Sequence, residues 1–182
     1  MPPTRAQLVD QLQRIIEIKL LDPLEILLAA DLDAADSDAT ALHTAGPRAG
    51  AREGAGGVAD ELRGLLRGRV DRWAWQMTGD DDRVAVGAVM RVMSTLYPGD
   101  GPFDPPVHWW SSPLGQVLAY RVGHPVAESV PYPVAGAMLG ITRQGVHDLI
   151  ARGKLRRHPD GGVVPASIRA RLLQLEEGSR RP

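Results

Sequence analysis

The chain contains no cysteine, few aromatic residues and no long hydrophobic run. The absence of cysteine excludes disulfide bonds, thiol nucleophiles and cysteine-bound zinc, and it suits a reducing compartment such as the cytoplasm. Aromatic residues make up only 4% of the 182 residues, so the hydrophobic core must be built mainly from leucine, valine, isoleucine and alanine. The apolar stretch 15–30 is interrupted by Glu17, Asp22 and Pro23, so it fits neither a signal peptide nor a membrane span.

The sequence also lacks the patterns that would indicate an enzyme or a metal site. Its five histidines have no ligand spacing such as H-x-x-x-H, and the glycines at positions 54, 56 and 57 lack the strand and lysine of a phosphate-binding loop. The acidic run Asp80–Asp82 is explained more simply as the cap of a following helix than as a cation site. We expect no catalytic residues, no cofactor, no bound metal and no membrane partner.

Positive charge is concentrated at the C-terminal end. Residues 1–130 carry 12 Lys and Arg against 18 Asp and Glu, a net charge of −6, whereas residues 131–182 carry 9 against 4, a net charge of +5. A phosphate-binding surface needs positive potential where it contacts the phosphates, and the net charge of the whole protein need not be positive. The C-terminal part is therefore the candidate for contact with nucleic acid. The two parts are expected to have separate roles.

Hydrophobic spacing predicts amphipathic helices at the start of the chain. Over residues 1–35, Leu8, Leu12, Ile16 and a second stripe after Pro23 predict amphipathic helices, either as a hairpin or as one kinked helix. Such an element buries too little surface alone, so we expect these helices to form a homodimer. Residues 36–57 have one large aliphatic residue and are predicted to be a flexible linker, with a long ordered loop as the alternative.

Residues 58–128 are predicted to form a helical domain. Pro98-Gly99 closes one of its helices, and Ser112-Pro113 has the form of a helix start. The run His108-Trp109-Trp110 admits two interpretations, because indole faces stack well on nucleobases but also supply scarce volume to an aromatic-poor core. Core packing is the favoured interpretation.

The segment from Pro133 to Leu155 predicts two short helices joined by a tight turn. Gly140 supplies the positive φ that such a turn requires, and Thr142 is placed to cap the second helix. Apolar residues recur at i, i+3 and i+4 spacing in that helix and are expected to face inward: Val146, Leu149 and Ile150. The opposite side then carries Gln144, His147 and Asp148, flanked by Arg143 and Arg152, and such a helix fits the major groove of DNA.

After Gly153, residues 154–164 predict a β-hairpin with a glycine-containing turn. Pro165 and Ser167 then open a last helix. Residues 130–175 are therefore expected to form one domain, followed by a disordered tail over 176–182. The predicted fold class is mainly α, with a helical N-terminal part and a C-terminal winged helix-turn-helix that has a small β-hairpin as its wing.

This C-terminal segment resembles the MerR/excisionase-type winged helix-turn-helix family of DNA-binding proteins. The resemblance covers about a quarter of the chain and rests on a first helix, the turn 139–142, a recognition helix and the step Gly153-Lys154-Leu155 into the wing. It implies that the recognition helix enters the major groove and that the wing contacts the DNA backbone or minor groove. Two positions depart from the pattern, because the family usually has an acidic residue at Gly136 and a larger residue at Gly145.

We therefore predict a sequence-specific DNA-binding protein, a transcriptional regulator, that binds double-stranded DNA at the nucleoid in the cytoplasm. The predicted DNA contacts are Thr142, Arg143, Gln144, His147, Arg152, Lys154, Arg156 and Arg157. Arginine binds guanine edges or phosphates, and glutamine reads adenine. Two alternatives stay open: an excisionase-like architectural factor that bends DNA, and a protein-interaction adaptor that is built on helical modules and does not bind DNA.

Overall fold

The computed structural model describes residues 3–27, 49–99 and 101–180, and these ranges are mainly helical and contain no β-sheet. Their α-helices are α1 (Arg5–Ile16), α2 (Ala49–Thr78), α3 (Asp82–Leu96), α4 (Pro113–Arg121), α5 (Tyr132–Leu139), α6 (Arg143–Ala151) and α7 (Pro165–Arg180), and a 3-10 helix spans Val107–Ser111. None of the described helices combines the length and the apolar character needed to cross a lipid bilayer.

The chain divides into two compact units. One contains Met1–Leu8 and Trp73–Pro182, and the other contains Val9–Arg72. The predicted helical domain 58–128 is thus divided between the units, and the predicted C-terminal domain 130–175 shares its unit with the helices that precede it. The reason is packing: α5 and α7 both pack on α4, so the C-terminal segment and residues 107–121 have a common core.

The first helix begins with a reciprocal side-chain cap. The Gln7 backbone N–H donates to Thr4 Oγ1 at 3.3 Å, and the Thr4 backbone N–H donates to Gln7 Oε1 at 3.0 Å. The chain continues from α1 through a π-helical turn at Glu17–Leu21 and stays helical to residue 27. This continuous helix agrees with the kinked-helix alternative as far as residue 27, and the rest of the predicted second stripe lies outside the described residues.

The apolar stripe of α1 is buried within the chain. Leu8, Leu12, Ile16 and Leu21 are each at most 3% exposed. This part of the apolar surface of residues 1–35 is therefore covered by the protein itself, whereas Ile18, Leu20, Ile26 and Leu27 are exposed. The homodimer through these helices stays a prediction.

In the unit Val9–Arg72, Arg63 joins α2 to the helical segment that follows α1. Its guanidinium donates to the carboxylates of Glu17 at 2.8 Å, Glu25 at 2.6 Å and Asp60 at 2.9 Å. These hydrogen bonds, that of Glu17 first, raise the pKa of Arg63 above its ordinary value. One cation thus ties three carboxylates together and fixes the side of α2 that faces the first helical segment.

Two segments predicted to be flexible are helical where they are described. The predicted linker 36–57 was wrong for residues 49–57, which form the first turns of α2, whereas 36–48 lie outside the described residues. The predicted disordered tail 176–182 was wrong for 176–180, because α7 continues to Arg180. Extending an existing helix adds one hydrogen bond per residue, so it needs no large apolar side chains. Alanines at 49, 51 and 55 favour that extension.

In the unit that contains Trp73–Pro182, two predicted helix caps are confirmed. An Asp81 carboxylate oxygen accepts from the Val84 backbone N–H at 3.1 Å at the start of α3, which explains the acidic run there without a cation. The Ser112 hydroxyl accepts from the Gly115 backbone N–H at 3.2 Å at the start of α4. Both caps fix where the helices of this unit begin.

The neighbouring tryptophans lie in the core of this unit. Trp110 is 1% exposed, and Trp109 is partly buried with its indole N–H donating to the Tyr97 hydroxyl at 3.0 Å. Phe103 contacts both indoles edge-on, with ring centroids 5.3 and 6.0 Å away. The prediction of core packing is confirmed for Trp110, whose ring has no free face for a nucleobase.

Candidate nucleic-acid interface

Helices α5 and α6 are joined by the tight turn that the sequence predicts. Gly140 ends α5 in the left-handed region at φ 65°, and the Ile141 backbone N–H donates to the Gly136 carbonyl at 2.9 Å. Thr142 then caps α6, because its Oγ1 accepts from the Gly145 backbone N–H at 3.2 Å. The turn and the cap are confirmed, and they set the angle at which α6 leaves α5.

Gly136 is explained by the path of this turn over α5. A Cβ atom at position 136 would lie 2.8 Å from the Ile141 carbonyl oxygen, closer than side chains approach backbone. The turn therefore packs directly against the backbone of α5 at position 136, where there is no side chain. At Gly145, which is partly buried, a Cβ atom would lie 3.4–3.6 Å from side-chain atoms of Ile141, which is ordinary contact distance.

A residue that sequence reasoning missed, Gln116, holds α5 in place. Its Nε2 donates to the carbonyls of Ala137 at 2.9 Å, Met138 at 3.2 Å and Trp110 at 2.7 Å. Two of these carbonyls belong to the last turn of α5, where carbonyls lack the usual i+4 donor within the helix. The available signal was a long polar side chain in the middle of an otherwise buried helix, α4.

Helix α6 packs mainly on α5 and presents its other side to solvent. Val146 is fully buried, and Leu149 and Ile150 are partly buried on the inward side. All eight predicted contact residues are exposed: Thr142, Arg143, Gln144, His147, Arg152, Lys154, Arg156 and Arg157. The first five lie on or at the ends of α6, and the last three lie on the loop that follows it.

Two contacts organise the exposed side of α6. The His147 ring meets the Tyr132 ring edge-on at a centroid distance of 4.6 Å, so the first residue of α5 orients a predicted contact residue of α6. Tyr132 was not singled out from the sequence, because the pair forms only when the two helices pack. Gln144 Nε2 donates to Asp148 Oδ1 at 3.3 Å, which places one carboxylate on an otherwise neutral and basic surface.

The predicted β-hairpin wing was wrong, because the described residues contain no strands. Arg157 and Val163 form an isolated antiparallel bridge, and Val163 forms a second one with Val130. Pairing does not extend because the Arg156 backbone N–H donates to Ser167 Oγ at 3.1 Å instead of a strand partner, and Pro159 has no N–H. Residues 154–164 therefore form a short loop that is anchored to Val130 and to the start of α7.

An open cavity of about 660 Å³ lies beside this loop and is lined in part by His124, Glu128, Arg156, Arg157, His158 and Pro165. His124 Nδ1 accepts the backbone N–H groups of Ala127 at 2.9 Å and Val126 at 3.3 Å. Burial lowers the pKa of His124 from its ordinary value, and the negative charge of Asp104 opposes that shift. The neutral ring thus holds the loop that forms one wall of the cavity.

The described residues contain no cluster of three or more histidine, aspartate or glutamate side chains that could hold a metal ion. The chemistry of residues 132–157 is that of hydrogen-bond donors and positive charges displayed on a fixed scaffold. No protein-family model, no curated protein and no solved structure matches this chain.

Proposed function

We propose that the protein binds double-stranded DNA in a sequence-specific manner through α6 and the loop 154–164, and that it acts as a transcriptional regulator. The observation that carries this proposal is the exposed side of α6. Arg143 and Arg152 flank it, Gln144 and His147 lie between them, and the inward side is held against α5. No enzymatic activity is part of the proposal.

The dimensions of α6 suit a major groove. An α-helix with its side chains is about 10–12 Å across, and the major groove of B-DNA is about 12 Å wide. Arginine donates two hydrogen bonds to a guanine edge, glutamine binds adenine, and a carboxylate such as that of Asp148 accepts from the cytosine amino group. The mixture of donors and one acceptor on this side favours reading of bases over plain attraction to phosphate.

The loop 154–164 supplies the contacts that do not depend on sequence. Lys154, Arg156 and Arg157 are exposed on it, and the loop is fixed by the bridge between Val163 and Val130 and by the Ser167 hydroxyl. Basic side chains on a fixed loop position a protein on the DNA backbone without reading bases. The likeness of this segment to the MerR/excisionase-type family supports the same division, although the loop here contains no strands.

A salt titration tests the proposal. Genomic fragments that the full chain retains would be sequenced, and the affinity for the recovered site would be measured by fluorescence anisotropy over a range of salt concentrations. We expect the logarithm of the affinity to fall linearly with the logarithm of the salt concentration. Binding that is absent, or that does not change with salt, would contradict DNA recognition and favour an adaptor.

Single arginine variants separate base reading from backbone contact. We expect Arg143→Ala to weaken binding to the recovered site by about 1–3 kcal/mol and to affect random DNA less, because it removes a base contact. Arg156→Ala and Arg157→Ala should weaken binding to both kinds of DNA alike and reduce the salt slope by about 1. Arg91→Ala, at an exposed position of α3, is the matched control. Equal losses for Arg143→Ala on both DNAs would remove its role as a base reader.

A further inference from the structure

The unit Val9–Arg72 exposes a mixed face on α2 that contains Glu61, Leu65, Gly68 and Arg72. At about 100° per residue, these four positions fall within about 60° of one another around the helix. All four are exposed, and Leu65 is 64% exposed. A leucine displayed to this extent beside a glycine and two opposite charges is a feature that the internal packing of the unit does not explain.

The opposite side of α2 accounts for the packing of the unit. Ala59 and Val70 are buried there, and Arg63 is held by its three carboxylates. On the exposed face, a Cβ atom at Gly68 would meet nothing within 4 Å. Neither Glu61 nor Arg72 forms an ion pair with any part of the chain that the structure describes.

We propose that this face binds a second copy of the same chain, with the two α2 helices antiparallel about a twofold axis that passes between residues 66 and 67. In this register, position i of one copy lies opposite position 133 − i of the other. Leu65 of each copy then lies over Gly68 of the other, where the missing side chain leaves room for it. Helices pack at about 8–10 Å, and small residues at the contact give the shorter distances.

The charges of the face are complementary in this register. Glu61 of each copy lies opposite Arg72 of the other, so two ion pairs, about 16 Å apart along the helix, flank the two leucine–glycine contacts. A parallel symmetric pair would place Glu61 against Glu61 and Arg72 against Arg72. The same four residues therefore favour one orientation and disfavour the other, as a twofold interface between identical copies requires.

One pair of helices buries less than the roughly 1,200–2,000 Å² of a standard stable interface, so we expect a dissociation constant in the micromolar range. The proposal does not depend on DNA binding and can be tested without DNA.

Charge exchange between the two positions provides the test. Sedimentation equilibrium of the full chain would compare the wild type with Glu61→Arg, Arg72→Glu and the double variant Glu61→Arg/Arg72→Glu. Each single variant places like charges opposite each other twice, and we expect it to raise the dimer dissociation constant by about tenfold or more. The double variant restores both pairs with reversed polarity, and its dissociation constant should return to within about threefold of the wild type.

A mixture of the two single variants makes the test specific. Copies with arginine at both positions pair with copies with glutamate at both, so an equimolar mixture should associate although each variant alone does not. Arg67→Glu, a charge reversal at an exposed position on another side of α2, is the matched control and should leave association unchanged. Circular dichroism would establish that every variant keeps its helix content. A wild type that stays monomeric at 100 µM, or a double variant as weak as the single ones, would overturn the proposal.

Discussion

At the scale of single residues, Gly136 and Gly145 show how two glycines in adjacent short helices differ in what surrounds them. Helix propensity alone predicts that alanine at either position stabilises the helix, by about 1 kcal/mol. The structure shows that the two positions differ. A Cβ atom at position 136 would collide with the Ile141 carbonyl, whereas a Cβ atom at position 145 would make only ordinary contacts. The backbone of the turn cannot yield without moving α6.

We therefore predict opposite effects for the two alanine substitutions. Gly145→Ala should raise the free energy of unfolding by up to about 1 kcal/mol, whereas Gly136→Ala should lower it by about 1–3 kcal/mol, a usual cost of overpacking. Urea unfolding followed by circular dichroism measures both. Each variant serves as the control for the other, since both make the same chemical change. A stabilising Gly136→Ala would show that the turn does not pack on α5 as described.

At the scale of elements, Arg121 completes the C-terminal end of the long helix α2. Its guanidinium donates to the Met77 carbonyl at 3.1 Å and the Gly79 carbonyl at 2.6 Å, and it lies 3.4 Å from an Asp82 carboxylate oxygen at the start of α3. The side chain is only 10% exposed. One arginine thus satisfies carbonyls at a helix end and fixes the turn between two helices.

Arg121→Met tests this role, because methionine keeps the aliphatic bulk but leaves both carbonyls without their donor. We expect it to lower the free energy of unfolding by about 2–3 kcal/mol. The matched control is Arg169→Met, since Arg169 also pairs with Asp82, at 2.7 Å, but its side chain is 32% exposed. That variant should cost less than about 1 kcal/mol, as exposed ion pairs do. Equal losses of stability in the two variants would mean that the ion pair with Asp82, and not the hydrogen bonds to the two carbonyls, is what stabilises the protein.

Features that depend on contacts between residues close in sequence could be predicted, whereas features that depend on contacts between distant residues could not. Thr4, Asp81, Ser112 and Thr142 each cap a helix through a bond that reaches only three residues along the chain, so the sequence is enough to locate them. The loop 154–164 has hairpin residues but no strands. Its internal pairing is limited to the Arg157–Val163 bridge, and its other contacts are with the distant Val130 and Ser167. The exposure of the predicted contacts on α6 followed from helical spacing. Tyr132 and Gln116 act across helices, so their partners could not be identified from the sequence.

At the scale of the whole molecule, composition and charge suggested a C-terminal domain that begins near residue 130. The structure places that segment in one unit with residues 73–129. The connections are of long range: Gln116 binds the end of α5, Val130 pairs with Val163, and α7 packs on α4. Composition shifts report charge and solubility along a chain, but they do not report which segments pack together.

This shared core leads to a prediction about fragments. A fragment of residues 130–182 loses Trp110, Leu114 and Leu118, which are buried in the same unit, and it loses the Gln116 side chain that caps α5. A chain of this length has little core to spare, so we expect the fragment to show no cooperative thermal unfolding by circular dichroism, whereas the full chain does. Adding residues 73–129 should restore a cooperative transition, because the helices on which α5 and α7 pack are then present. A sharp transition in the short fragment would mean that α5, α6 and α7 form a core without α4, and the proposed DNA-binding surface could then be studied as an independent domain.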